Sequence, residues 1–552
     1  MAISLANYDT KKWKSYADWK LLALLLLFLN VKLAIKIPAI ALIYLLQFDF
    51  KFGFRFKNSR LPLFYPLVIL LAVVGLFVSN GYQSPQYLVV FSTGIAFWLL
   101  CILAIHQVKL SIDEQPAQII HNTLLLFFII NAAFSALNLV CIIYETGTLN
   151  PYLYQGQHQK YFIGTGDYIK GATFDTSTTN AVINAMGVIY FLVKKISVML
   201  LVCMATLLLT GSNFINITLL LIMACLFIFK STRDQKSMIV VCLVLLVVFM
   251  AKISPQNNRY VGETFEDITQ KYPKHKIVPK ANVIPITQLP DSVLDAGQRK
   301  IKFATLYVDS TNRLAYLREK PDLPVKEGVV KTGDGGIIRP QPDIDAELYQ
   351  SIKVPLAAQH PLVVFIAWHK NLLPISTSIA VPHLPGKAIG LLQTLNFMLQ
   401  HPGKILTGDG MGNFSSKLAF RATGLGFAGG FPQRYVYINK GFILNHLDVY
   451  LNFFSKNTGY HSLTNSPFSV YDQLLAEYGL LGILVFIVYY LWFFARHYKK
   501  LTYGLPILLL IMAVLFIDYW FEQLSIMIFF ELMLLLNIKE TTANKPGGPA
   551  YA

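Results

Sequence analysis

Residues 119–144 read IIHNTLLLFFIINAAFSALNLVCIIY, with no Asp, Glu, Lys or Arg among them. A helix of about 20 such residues crosses the roughly 30 Å hydrocarbon layer of a bilayer. Stretches 61–79, 86–107 and 474–494 carry the same message. Working outward, shorter apolar segments follow one another in tandem between basic clusters. The expected spans are 21–31, 34–47, 61–79, 86–107, 119–144, 180–193, 196–210, 214–229, 237–251, 474–494, 504–518 and 525–537. The first two are short and separated by Lys32 to Lys36, compatible with one kinked helix. The expected fold class is an all-α polytopic membrane protein with about 12 transmembrane helices.

Composition agrees. Only 14% of the 552 residues are charged and 55% are hydrophobic, whereas soluble domains are about 25% charged; the mean hydropathy is +0.50. The basic start (Lys11, Lys12, Lys14, Lys20) runs into 21–31 without a small-residue cleavage site, so it reads as an uncleaved anchor. All five cysteines (Cys101, Cys141, Cys203, Cys225, Cys242) lie in hydrophobic segments, where cysteine serves as small apolar filler. Their spacing excludes a cysteine-based zinc site.

Lysine and arginine in short loops set the orientation. With the N-terminus in the cytoplasm, Lys51/Arg55/Lys57/Arg60, Lys194/Lys195, Lys230/Arg233/Lys236 and Arg496/Lys499/Lys500 all fall inside. The opposite short loops, 80–85 and 211–213, carry no basic residue. Both termini are therefore expected inside and 252–470 outside. The expected division is 1–251 as an N-terminal transmembrane bundle, 252–470 as a large periplasmic loop with amphipathic helices, and 471–552 as C-terminal transmembrane helices and a cytoplasmic tail.

Within the loop, 326–342 holds Gly-Asp-Gly-Gly and reads as turns, and 388–399 as an amphipathic helix at the interface or capping the bundle. The chain's formal charge is +17. Much of this is the positive-inside signal, so nucleic acid is not the expected partner. The surplus on the outer loop suits anionic lipid headgroups or a diphosphate.

The most informative block is Gly408-Asp-Gly-Met-Gly-Asn-Phe414, followed by His461-Ser-Leu-Thr-Asn-Ser-Pro-Phe-Ser-Val-Tyr-Asp-Gln-Leu-Leu-Ala-Glu-Tyr-Gly-Leu-Leu-Gly482. The first is a glycine-rich outer turn. It is not a Walker loop, because no Gly-Lys-Ser/Thr follows, and no βαβ unit makes it a dinucleotide fingerprint. The second starts a helix near Ser466-Pro467 and carries Glu477 and Gly479 into a span.

Together these motifs resemble the O-antigen ligase and polysaccharide polymerase family of bacterial membrane glycosyltransferases, whose fold is of the C-type glycosyltransferase kind. Gly171-Ala-Thr-Phe-Asp175 through Asn180 and Leu207-Leu-Leu-Thr-Gly-Ser212 resemble further family elements. The resemblance covers most of 160–490. Two departures stand out: Asn213 follows Thr-Gly-Ser where the family often has arginine, and Asn465-Ser466 stands nearer the usual His-Ser position than His461 does.

The resemblance implies inverting, metal-independent transfer of a glycan from undecaprenyl diphosphate to a glycan, lipid or protein acceptor, without a cofactor, at the outer face of a bacterial inner membrane. Deprotonating the acceptor hydroxyl calls for a base, and His461 is the expected catalytic residue. The diphosphate calls for cations: Arg421 and Arg434 are the expected binders, with Lys440 and His446 behind them. Asn465 and Glu477 complete the expected substrate site, Glu477 as a group that orients a neighbour or caps structure. Asp343-Ile-Asp345 imitates a metal-binding pair but lacks a partner. The competing classes are a transporter or flippase of lipid-linked oligosaccharide and a non-catalytic envelope assembly protein.

Overall fold

The computed structural model describes residues 16–27, 61–153, 169–172, 176–229, 231–254, 386–422, 433–439 and 468–543, with a few isolated positions besides. Helices dominate. They are α1 (Trp19–Leu27), α2 (Phe64–Val78), α3 (Pro85–Glu114), α4 (Ala117–Thr146), α5 (Ser177–Lys194), α6 (Ser197–Leu209), α7 (Asn213–Phe229), α8 (Arg233–Ile253), α9 (Gly386–Gln400), α10 (Lys417–Ala422), α11 (Val470–Ala495), α12 (Gly504–Val514), α13 (Trp520–Gln523) and α14 (Ser525–Ala543). A two-residue antiparallel pair joins Val330–Lys331 to Ile337–Ile338.

Local chemistry sets the helix ends. Ser84 caps α3 by accepting from the Tyr87 N–H, with Pro85 in the first turn. Gly147 stops α4 in the left-handed region at φ +64°. Thr176 caps α5, and Thr232 with Gln235 forms a capping box on α8.

Among the described residues, four helices, α3, α4, α8 and α11, are long and apolar enough to cross a membrane. That is fewer than the sequence suggested. Among the others, α6 has 13 residues and α12 has 11; at 1.5 Å per residue, each is shorter than the roughly 30 Å hydrocarbon layer. Most of 34–47 and of the outer loop lies outside the described residues. The bundle's surface is itself apolar: Leu70 and Phe77 of α2, Leu137 and Val140 of α4, and Leu221 and Phe229 of α7 are exposed. A helix bundle made for water would place polar side chains there. Cys141 and Cys225 lie on this outer surface, whereas Cys101, Cys203 and Cys242 are buried filler.

Two helices form the centre. In α5, every residue from Ser177 to Leu192 is buried. Its amides bond inward: Asn131 Nδ2 of α4 donates to Asn180 Oδ1 at 2.8 Å, and Asn180 Nδ2 donates to Ser135 Oγ at 3.0 Å. Its neighbour α14 runs against α3, α5 and α12. An aromatic core of Phe64, Tyr65, Trp98, Tyr490 and Phe521 joins α2, α3, α11 and α13, and Trp98 Nε1 donates to Tyr478 Oη at 2.9 Å.

The helix ends sort into two faces. At one, His121 (start of α4), Lys194 (end of α5), Tyr503 (before α12) and Glu540 (end of α14) converge. At the other lie the 408–416 turn, the start of α11 and the α12–α14 connection. The sequence placed the start of α11 near Ser466-Pro467; the helix begins at Val470, with extended Ser469 ahead of it. The expected 504–518 helix stops at Val514, and the freed chain turns so that the Ile517 carbonyl meets Lys387.

Candidate functional site

The glycine turn is built by alternation. Gly408, Gly410 and Gly412 stand at φ +70°, +95° and +75°, a region that costs other residues steric energy. The turn runs on into 414–416, and the N–H groups of Gly412 and of 414–416 together form a nest suited to an anion. Glu477 fills it from α11. Its carboxylate accepts from the N–H groups of Gly412 (2.6 Å), Ser416 (2.8 Å), Ser415 (3.2 Å) and Phe414 (3.3 Å).

The main chains interlock as well. Gly479, at φ +66°, breaks α11. Asp409 N and Gly410 N then donate to the carbonyls of Ala476 and Glu477, and Leu480 N and Leu481 N to those of Ile405 and Leu406. A Cβ on Gly408 would stand 2.3 Å from the Glu477 carbonyl carbon, and one on Gly479 2.4 Å from the Leu406 oxygen. The two motifs are thus halves of one knot. Tyr87 Oη donates to the Met411 carbonyl at 3.0 Å, and Phe414 rests on Phe397 of α9. Lys404 pairs with Asp409 at 3.2 Å, yet burial raises the Asp409 carboxyl above its ordinary range.

The knot aims α10. Ser416 caps it by accepting from the Ala419 N–H at 3.0 Å, and Arg421 follows on its last turn. Burial lowers the Arg421 pKa, countered by the nearby carboxylates of Glu522 and Asp518. Its Nε is buried with no hydrogen-bond partner among the described residues. Arg434 is placed differently: it is exposed and stacks on Tyr435 at 4.5 Å. His461, Asn465, Lys440, His446, Asp343 and Asp345 lie outside the described residues. Among the described residues, no group of His, Cys, Asp and Glu is arranged to hold a metal ion.

The same end holds residues that the motifs did not point to. Lys387, buried at the start of α9, donates to the carbonyls of Phe468 (2.5 Å) and Ile517 (2.9 Å). Desolvation lowers its pKa to about 7, against the pull of Asp518 and Asp472. Gln473 Nε2 donates to Glu522 Oε1 at 2.7 Å. Gln473 Oε1, Ser469 Oγ and Tyr519 Oη are buried with no partner among the described residues. The available sequence signal was the pair Asp518 and Glu522, the only acids in the short connection between the last two spans. Such an arrangement offers cations for an anion, amide and hydroxyl groups for sugar hydroxyls, and a carboxylate able to take a proton. No family model, curated protein or solved structure matches the chain.

Proposed function

We propose that the chain transfers or polymerises a glycan carried on undecaprenyl diphosphate, as an O-antigen ligase or polysaccharide polymerase does. The acceptor is a glycan, lipid or protein, and the site is the outer face of a bacterial inner membrane. In this reading about 12 spans cross the membrane, both termini are cytoplasmic and 252–470 form a periplasmic loop. The observation that carries it is Arg421: a guanidinium held by the glycine knot at one end of an apolar bundle, with a buried Nε that the protein leaves unbonded. An arginine fork suits a diphosphate leaving group, and arginines can stand in for a metal there. The base is either His461, as the motif order implies, or a carboxylate at this same end. Purified protein in nanodiscs, given a polyprenyl-diphosphate-linked oligosaccharide and an acceptor, should move the glycan off its lipid. A cysteine at Ser310→Cys should react with an impermeant thiol reagent in intact spheroplasts; reaction only after permeabilisation would reverse the orientation.

A second reading, a transporter of the same lipid-linked sugars, has one observation in its favour. Glu531 of α14 is fully buried inside the bundle and accepts from Tyr65 Oη at 2.5 Å. Intramembrane carboxyl groups often mark ion or proton pathways. A transporter leaves the glycan on its lipid, so the transfer assay separates the two.

A further inference from the structure

The outer end contains a carboxylate that the motifs do not account for. Glu522 sits on α13, the short turn between α12 and α14, and is partly exposed where most of its neighbours are buried. One oxygen, Oε1, is fixed by Gln473 Nε2 at 2.7 Å. Around it stand Arg421 and Lys417 of α10, Glu477 and Tyr478 of α11, and Asp518 and Tyr519 of the preceding turn. Buried within the same end, three hydrogen-bonding atoms have no partner among the described residues: Arg421 Nε, Gln473 Oε1 and Tyr519 Oη. Proteins rarely leave such atoms unsatisfied unless a ligand or water completes them. A donor, an acceptor and a hydroxyl around one positioned carboxylate match the needs of a sugar hydroxyl about to lose its proton.

We propose that Glu522 is the general base that deprotonates the acceptor hydroxyl. This rests on the glycosyl-transfer reading above. The acceptor oxygen attacks the anomeric carbon of the donor sugar, and its proton passes to the free oxygen of Glu522. The bond from the anomeric carbon to the diphosphate breaks, the diphosphate leaves with the electron pair, and the anomeric configuration inverts. Arg421 and Lys417 face the charge that the leaving group gains. Gln473 holds the carboxylate in place through its other oxygen. Burial, reinforced by Glu477, raises the Glu522 carboxyl to about 8, close to a neutral working pH, where a base both exists in its ionised form and accepts a proton readily.

The test uses the full chain in nanodiscs with a polyprenyl-diphosphate-linked oligosaccharide, measuring donor binding and turnover between pH 6 and 9. Wild-type turnover should climb about tenfold per pH unit until it levels near the Glu522 value. Glu522→Gln should bind donor as wild type does, lose at least about 100-fold in turnover, and lose the climb. Glu522→Asp should keep the climb at a reduced rate, and it decides the matter if the glutamine variant does not purify intact. An unchanged rate and pH profile in Glu522→Gln overturns the assignment and leaves glycosyl transfer standing. Equal losses of donor binding and turnover also overturn it, making Glu522 a structural partner of Arg421. No transfer by the wild type from a lipid-linked donor overturns the underlying reading itself.

Discussion

The two ends of the bundle both gather charged and polar side chains, but they do so differently. At the end formed by His121, Lys194, Tyr503 and Glu540, the carboxylate is fully engaged. Lys194 Nζ reaches one oxygen at 2.8 Å, Tyr503 Oη donates to the other at 3.2 Å, and His121 joins the first. At the opposite end, Glu477 is equally satisfied by four backbone N–H groups, yet Arg421, Gln473 and Tyr519 keep buried atoms with no partner among the described residues. A cluster closed upon itself ties helices together. A cluster with atoms left over has hydrogen-bonding capacity to spare. The open end therefore has one closed part, the glycine knot, and one open part that the knot positions.

Glu477→Ala should do the greatest damage. It orphans four buried N–H groups at about 1–3 kcal/mol each, comparable with a whole stability of about 5–15 kcal/mol. The protein should fail to purify as a monodisperse species; a monodisperse variant with wild-type thermal stability would show that the knot is dispensable. Arg421→Ala should leave folding intact but weaken donor binding or turnover by roughly 10- to 150-fold, the worth of one charge-assisted bond of about 1.5–3 kcal/mol. Arg421→Lys should recover only part of this, because an ammonium cannot form the fork. Full recovery by lysine would reduce the arginine to a point charge.

The closed end should matter less. Burial pushes the Glu540 carboxyl up, but its bonds to His121 and Lys194 outweigh this and leave it below the ordinary carboxylate range. A depressed folded pKa contributes stability that is whole above the unfolded value of about 4.3 and fades as pH falls through the folded one. Glu540→Gln should therefore cost at most about 1 kcal/mol at pH 7, leave transfer unchanged, and melt more like wild type as the pH drops below about 4. Lost transfer in a well-folded Glu540→Gln would mean that this end is not purely structural. Chelation is expected to have the smallest effect. Transfer should persist in EDTA, and loss restored by magnesium or manganese would move the site toward Asp409 or toward Asp343 and Asp345.

What the sequence made legible was local. The run at 119–144 became α4 within two residues at either end, because hydrophobic length and a closing glycine act on neighbouring positions. The segment 388–399 became α9. The hidden part was long-range. Nothing near Glu477 announces that its partners lie more than sixty residues earlier, nor does Lys387 announce carbonyls at Phe468 and Ile517. Glycine spacing at 408, 410 and 412 suggested a turn but not the anion that it encloses. Of the expected spans, α3, α4, α8 and α11 are long and apolar enough among the described residues; for the shorter helices hydropathy shows how apolar a segment is, not where its hydrogen bonding stops.

The burial of α5 on all sides has a consequence for how the chain is made. A segment with Asn180 and Asn184 at its heart and no surface of its own would be a poor solitary occupant of lipid, where unpaired amides find no water. Its receiving groups, Asn131 and Ser135, belong to α4, which leaves the ribosome earlier. The order of synthesis thus delivers the hydrogen-bonding cradle before the guest. Retention of α5 during biogenesis depends on a helix already in place and not on its own hydrophobicity.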